Sequence, residues 1–184
     1  MTTRKIIVCG SRPKTLVVGV ELAVELLVAG LSQARASFVP IDTTFMNRKA
    51  KAGSFSCLRA IETMLVVFRV WLWMPFCKIY YSIMSTSPLG FIRDYLNVFF
   101  AKLLRRRTVL HLHGGGFEDF YISSKPWLQR LIRANLKRID TIVVLGELLK
   151  DQFYCAGEFV KPKLLVIPNG LTHGVEEPVA AVKE

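Results

Sequence analysis

The chain has 184 residues, 52% of them hydrophobic, a mean hydropathy of +0.36 and a formal net charge of +11. That length predicts one domain with a core of its own, and the apolar surplus predicts surface meant for a partner or a membrane face. The basic balance fits nucleic acid, anionic lipid or phosphorylated small molecules, but no zinc-finger, RNA-recognition or basic-zipper pattern is present, which argues against nucleic acid.

In chain order, residues 4–10 read as a first strand ending in Gly10, followed by a loop with Pro13. Val18 to Gly30 reads as a helix with Glu21 and Glu25 one turn apart. Residues 37–42 are a second strand, and Thr43 to Ser56, polar and basic, is the best candidate for a mobile loop. Leu58 to Trp73 is a second helix. The apolar run Met64 to Cys77 within and beyond it is interrupted by Arg69 and Pro75 and falls short of the ~20 residues needed to span a bilayer, so it reads as a buried helix, with a membrane-interface position as the alternative.

Lys78 to Met84 is a third strand and Leu89 to Leu104 a third helix, closed by Arg105, Arg106 and Arg107, whose charges suit a helix C-terminus. Thr108 to His113 is a fourth strand, Lys125 to Arg138 a helix, Thr141 to Leu145 a fifth strand, Glu147 to Cys155 a short helix and Lys163 to Ile167 a sixth strand. Strands alternating with helices argue for an α/β fold, a doubly wound parallel sheet with helices on both faces. The domain is expected over residues 1–171, with 172–184 a linker or tail. The four cysteines are scattered without a C-x-x-C and suit free thiols in a reducing cytosol. No signal-peptide pattern opens the chain.

The segment from Thr108 to Phe117 carries the chemistry. An apolar, β-branched run stops at His113 and three glycines, Gly114, Gly115 and Gly116. In open α/β sheets ligands sit beyond the carboxyl ends of strands, where this edge would lie. Glycines let a ligand approach the main chain and leave N–H groups for an anionic oxygen. A histidine there donates or accepts near neutral pH. The plainer alternative is a tight turn with a core histidine. His111 shares a strand face with His113; it reads as structural, and with no third ligand nearby the pair does not suggest a metal. His-Gly-Gly-Gly also occurs in esterases, where it builds an oxyanion hole, but that chemistry needs a Gly-x-Ser-x-Gly elbow, which the chain lacks.

Three segments taken together (109–115, 136–147 and Val166-Ile167-Pro168-Asn169-Gly170) resemble the N-terminal half of a GT-B glycosyltransferase. The likeness is to the retaining, family 4-like group that builds lipopolysaccharide, capsule and other polysaccharides, and it covers nearly the whole chain. It implies a Rossmann-like acceptor-binding domain facing a second, donor-binding domain across a cleft. A nucleotide-sugar would be the co-substrate, usually without a metal ion or other cofactor. By the same resemblance His113 contacts the transferred sugar, and the loop carrying Gly10, Arg12, Lys14 and Gly19 faces the donor phosphates. Gly114, Gly115, Gly116 and Glu147 join the substrate-binding edge, and Asn169 leads into the hinge.

Two departures stand out. The first loop lacks the group's Gly-Gly, and Gly146 stands where a serine is common. The donor domain of the group, with its two glutamates separated by seven residues that grip the donor, is not seen, so half an enzyme, inactive alone, is expected. Its expected partners are a glycan or lipid-linked acceptor, a donor-binding domain or subunit, and an anionic membrane surface on the cytoplasmic side. The alternatives are a non-catalytic membrane-recruiting subunit of a split transferase and an esterase fragment.

Overall fold

A computed structural model describes residues 5–11, 19–44 and 57–168. Six parallel strands form one sheet: β1 (Ile6–Gly10), β2 (Phe38–Asp42), β3 (Ile79–Ile83), β4 (Arg107–Leu112), β5 (Thr141–Val144) and β6 (Leu164–Val166), in the order β2-β1-β3-β4-β5-β6. The helices are α1 (Gly19–Gln33), α2 (Cys57–Trp73), α3 (Pro88–Leu103), α4 (Phe117–Ser123) and α5 (Pro126–Arg138). The chain moves outward from β1 to β2, then crosses back to β3 and onward. The sheet is the α/β, Rossmann-like doubly wound arrangement expected, and its order reverses between β1 and β3.

Side-chain alternation sorts the sheet into two faces. Ile7 of β1 pairs with Tyr80 of β3, and Leu110 of β4 with Ile142 of β5; all four lie on one face and are fully buried. They share a core with Val70 and Met74 of the α2 region, Val98 and Ala101 of α3, and Ile132 and Leu136 of α5. The opposite face carries Tyr81, His111 and Val143, and there α1 supplies Ala23, Leu26 and Leu27. Further along, this face is open: Leu165 of β6 is 48% exposed.

Two cross-links fix the sheet's amino edge. The Asp140 carboxylate accepts the Thr108 N–H at 2.7 Å and the Lys102 ammonium. Lys163 Nζ donates to the carbonyls of Leu136, Lys137 and Ile139 at the end of α5, which satisfies acceptors a helix C-terminus leaves open.

Several expectations need correction. The arginine triplet does not close α3, whose last turn carries Lys102 instead. Arg105 turns left-handed at φ 54°, Arg106 bonds the Pro75 carbonyl, and Arg107 opens β4. Residues 147–156 form 3-10 turns, Glu147–Leu149 and Asp151–Ala156, rather than a short α-helix. The helix α4 went unread in the sequence; its buried Phe117, Phe120 and Tyr121 fall at i, i+3 and i+4, too short a run for periodicity to stand out.

Nor is α2 a buried helix. Val67, Val70 and the following Met74 face the core, while Leu65, Phe68 and Leu72 point outward. A helix with apolar residues on its outward as well as its core face gives periodicity little to orient it by. Among the described residues no helix is long and apolar enough to cross a membrane. Cys9 and Cys77 are free and buried, Cys155 free and half-buried.

Candidate functional site

Parallel strands bring their carboxyl ends to one edge, so positions far apart in sequence meet there. Gly10 ends β1, His113 to Gly116 follow β4, and Glu147 follows β5. His113 lies one residue beyond the end of β4 and is half-buried. Both of its ring nitrogens are shielded from solvent and have no hydrogen-bond partner. Shielded, unpaired polar atoms are uncommon and cost stability.

His111 stacks on His113 with ring centroids 3.9 Å apart. Its Nδ1 lies 2.6 Å from the Tyr81 hydroxyl. Burial, and then the neighbouring His113, push the His111 pKa down to about 4. Burial lowers His113 too and raises Tyr81 above the ordinary phenol range. At neutral pH both imidazoles are therefore uncharged and the phenol keeps its proton. Tyr81 then donates to His111 Nδ1, which places the His111 proton on Nε2. Neither ring nitrogen of His113 takes part in this pairing.

These three side chains line a cavity of about 300 Å³, walled otherwise by apolar residues of α1, Val143, Ile167 and Pro168. A few convergent polar atoms in an apolar hollow are the usual composition of a small-molecule site. His111, read as structural from the sequence, is buried but belongs to this wall. Tyr81 was missed; its only signal is a strand alternation that sets it on the histidine face.

The glycines behave differently from one another. Gly114 (φ 99°) and Gly116 (φ 92°) occupy left-handed backbone that other residues rarely adopt, and the space around all three is open. Gln152, unremarked in the sequence, pins the loop: its Oε1 accepts the Phe117 N–H at 3.0 Å and its Nε2 donates to the Leu149 carbonyl at 2.9 Å. Gly116 lines a second hollow, of about 640 Å³, beside α4 and the start of α5. That hollow is edged by Asp119, Ser123, Lys125 and Trp127, whose indole is 56% exposed.

The remaining candidates divide. Gly10 is buried against α1, where a Cβ would lie 2.6 Å from Val24 Cγ2, so a close approach of helix and strand explains its lack of a side chain. Gly19 opens α1 and is exposed. Glu147 is exposed and pairs with Lys150 at 2.7 Å. Arg12, Lys14 and Asn169 lie outside the described residues, as do most of the loop expected at 43–56 and the tail from 172. Ser11, at the end of β1, donates to the buried Glu21 carboxylate at 3.1 Å. Among the described residues no group of three His, Cys, Asp or Glu side chains is arranged to hold a metal.

The fold and site together define an α/β, Rossmann-like protein with a histidine-lined cavity on the α1 face of its parallel sheet. No family model and no curated protein matches the chain.

Proposed function

We propose that the chain is the acceptor-binding half of a retaining glycosyltransferase acting in polysaccharide or lipopolysaccharide synthesis at the cytoplasmic membrane face. The observation that carries the reading is His113, set past the end of β4 with two unpaired ring nitrogens in a cavity of about 300 Å³. A neutral imidazole in that position holds sugar hydroxyls by hydrogen bonds and orients the ring for transfer. The Tyr81 hydroxyl and His111 keep the histidine pair stacked and uncharged. The second hollow offers an exposed indole beside a carboxylate and an ammonium, a surface suited to the apolar face and hydroxyl rim of a glycan. Charge developing on a departing nucleotide diphosphate would be met by main-chain N–H groups and by cations from the facing donor domain.

Ligand-observed NMR with residues 1–184 and a panel of oligosaccharides, lipid-linked glycan analogues and nucleotide-sugars tests this reading. Glycans should bind, with the signal lost in His113→Ala and weakened in Trp127→Ala. Nucleotide-sugars should bind weakly and no sugar should be transferred. A chain that binds no carbohydrate overturns the reading. Hydrolysis of a short acyl ester that depends on His113 would move support to the esterase reading instead.

The exposed apolar face of α2 favours a second reading, a non-catalytic membrane-recruiting subunit that docks a separate donor-binding chain at another surface. Co-purification of another Rossmann-like protein, released by substitutions at the glycine edge, would favour it.

A further inference from the structure

The outward face of α2 is apolar and exposed. Leu58, Ile61, Leu65, Phe68 and Leu72 repeat at steps of three and four and are each more than half exposed, and Trp73 and Phe76 continue the ridge at 42% and 70%. Contiguous exposed apolar faces commonly mark contact with a partner or a membrane. Seventeen residues of helix extend about 26 Å, enough to lie along a surface and too short to cross one.

The charges around the ridge say what covers it. Residues 63–93 contain no aspartate or glutamate. Lys5 Nζ sits 4.8 Å from the centre of the Trp73 ring. Arg106 donates to the Pro75 carbonyl at 2.7 Å, which fastens the arginine triplet to the end of the ridge. Lys78, Arg105, Arg106 and Arg107 together wall a hollow of about 230 Å³, and the shielded Nε of Arg106 has no partner there. Arg69 projects from the ridge itself. Glu62, half-buried, lies toward the opposite end of the helix from Trp73.

We propose that α2 lies in the interface of an anionic lipid bilayer, its leucine and phenylalanine ridge among the acyl chains and Lys5, Arg69, Lys78 and the arginine triplet on the headgroup phosphates. An apolar helix face bordered by cations, with aromatic residues at one end, is the composition of in-plane membrane helices. A second copy of the chain on the same ridge would bring cationic borders near one another with no acid in 63–93 to receive them. A bilayer supplies both the apolar layer and the anions. The surface runs along α2 and the amino ends of β3 and β4, away from the His113 cavity, so its failure would leave the sugar-transfer reading standing.

Co-sedimentation of residues 1–184 with phosphatidylcholine vesicles, with and without phosphatidylglycerol, tests the inference. Binding should require phosphatidylglycerol and weaken as salt rises. Leu65→Glu combined with Phe68→Glu should abolish it; both side chains are exposed, and an unchanged urea midpoint confirms that the fold is intact. Arg105→Gln and Arg107→Gln should each lower affinity about fivefold. Equal binding to neutral vesicles, no binding at low salt, or vesicle binding untouched by the Glu substitutions overturns the proposal. So does a stable dimer in sedimentation that the Glu substitutions dissociate, which would assign the ridge to a second copy.

Discussion

Gln152 and Phe117 are 35 residues apart in sequence, yet the Gln152 Oε1 accepts the Phe117 N–H at 3.0 Å and fixes the point where the glycine loop becomes α4. Replacing Gln152 by Leu leaves that buried N–H without an acceptor, which costs about 1–3 kcal/mol. The urea midpoint should fall accordingly, and amide exchange at residues 114–121 should quicken more than exchange in β4. Unchanged exchange in the loop would contradict the anchoring role.

The three glycines are separable by experiment. Gly114→Ala and Gly116→Ala force a Cβ into left-handed backbone and should each cost about 1–2 kcal/mol. Gly115 has no such conformation and open space around it, so Gly115→Ala should stay within about 0.5 kcal/mol of the parent. Equal effects at all three positions would mean that the loop relaxes around the substitution.

Acid should weaken the fold through the histidine pair. His111 titrates near 4 when folded against an ordinary 6.5, with burial as the larger cause. Between those values the unfolded chain binds a proton that the folded chain refuses. Stability is therefore complete above about pH 6.5 and falls as the pH drops toward 4, by up to about 1.4 kcal/mol per unit. His113 adds in the same direction. His111→Gln should flatten this limb in urea titrations between pH 4 and 7; an unchanged slope would show that other groups produce it.

A separate, more acidic limb belongs to Asp140. Burial raises its pKa, but the hydrogen bonds from Lys102 and Thr108 outweigh that and hold it below the usual carboxylate value of 3.8. Its contribution is present above pH 3.8 and is lost as the pH falls below it. The carboxylate side chain is 44% exposed, so solvent screening limits the effect of Asp140→Asn to about 1 kcal/mol at neutral pH. Thermal melts at pH 7 and pH 2.5 should differ less in this variant than in the parent.

Gly10 tests a packing role against a binding one. Gly10→Ala places a methyl 2.6 Å from Val24, an overpacking that should cost about 1–3 kcal/mol. Val24→Ala should recover part of the loss in that background while destabilising the parent, a coupling that a double-mutant cycle reads directly. Additive effects would mean that the contact is relieved elsewhere.

The sequence by itself determined the α/β class, the placement of all six strands to within a residue or two, and the arrival of His113 at a strand end. Strands buried on both faces need continuous apolar runs, and glycine marks where such runs stop. It left α4 unread and misjudged the burial of α2, because a short helix, and one with apolar residues on both faces, carry no period that points to a core; the arginine triplet leaves α3 through the left-handed turn at Arg105. Tertiary structure alone decided that Tyr81 meets His111, that Gln152 holds the glycine loop, that Gly10 yields to Val24, and that one side of α2 is left bare. Each is a contact between segments distant in the chain, fixed by strand order and register, which local residue patterns do not encode.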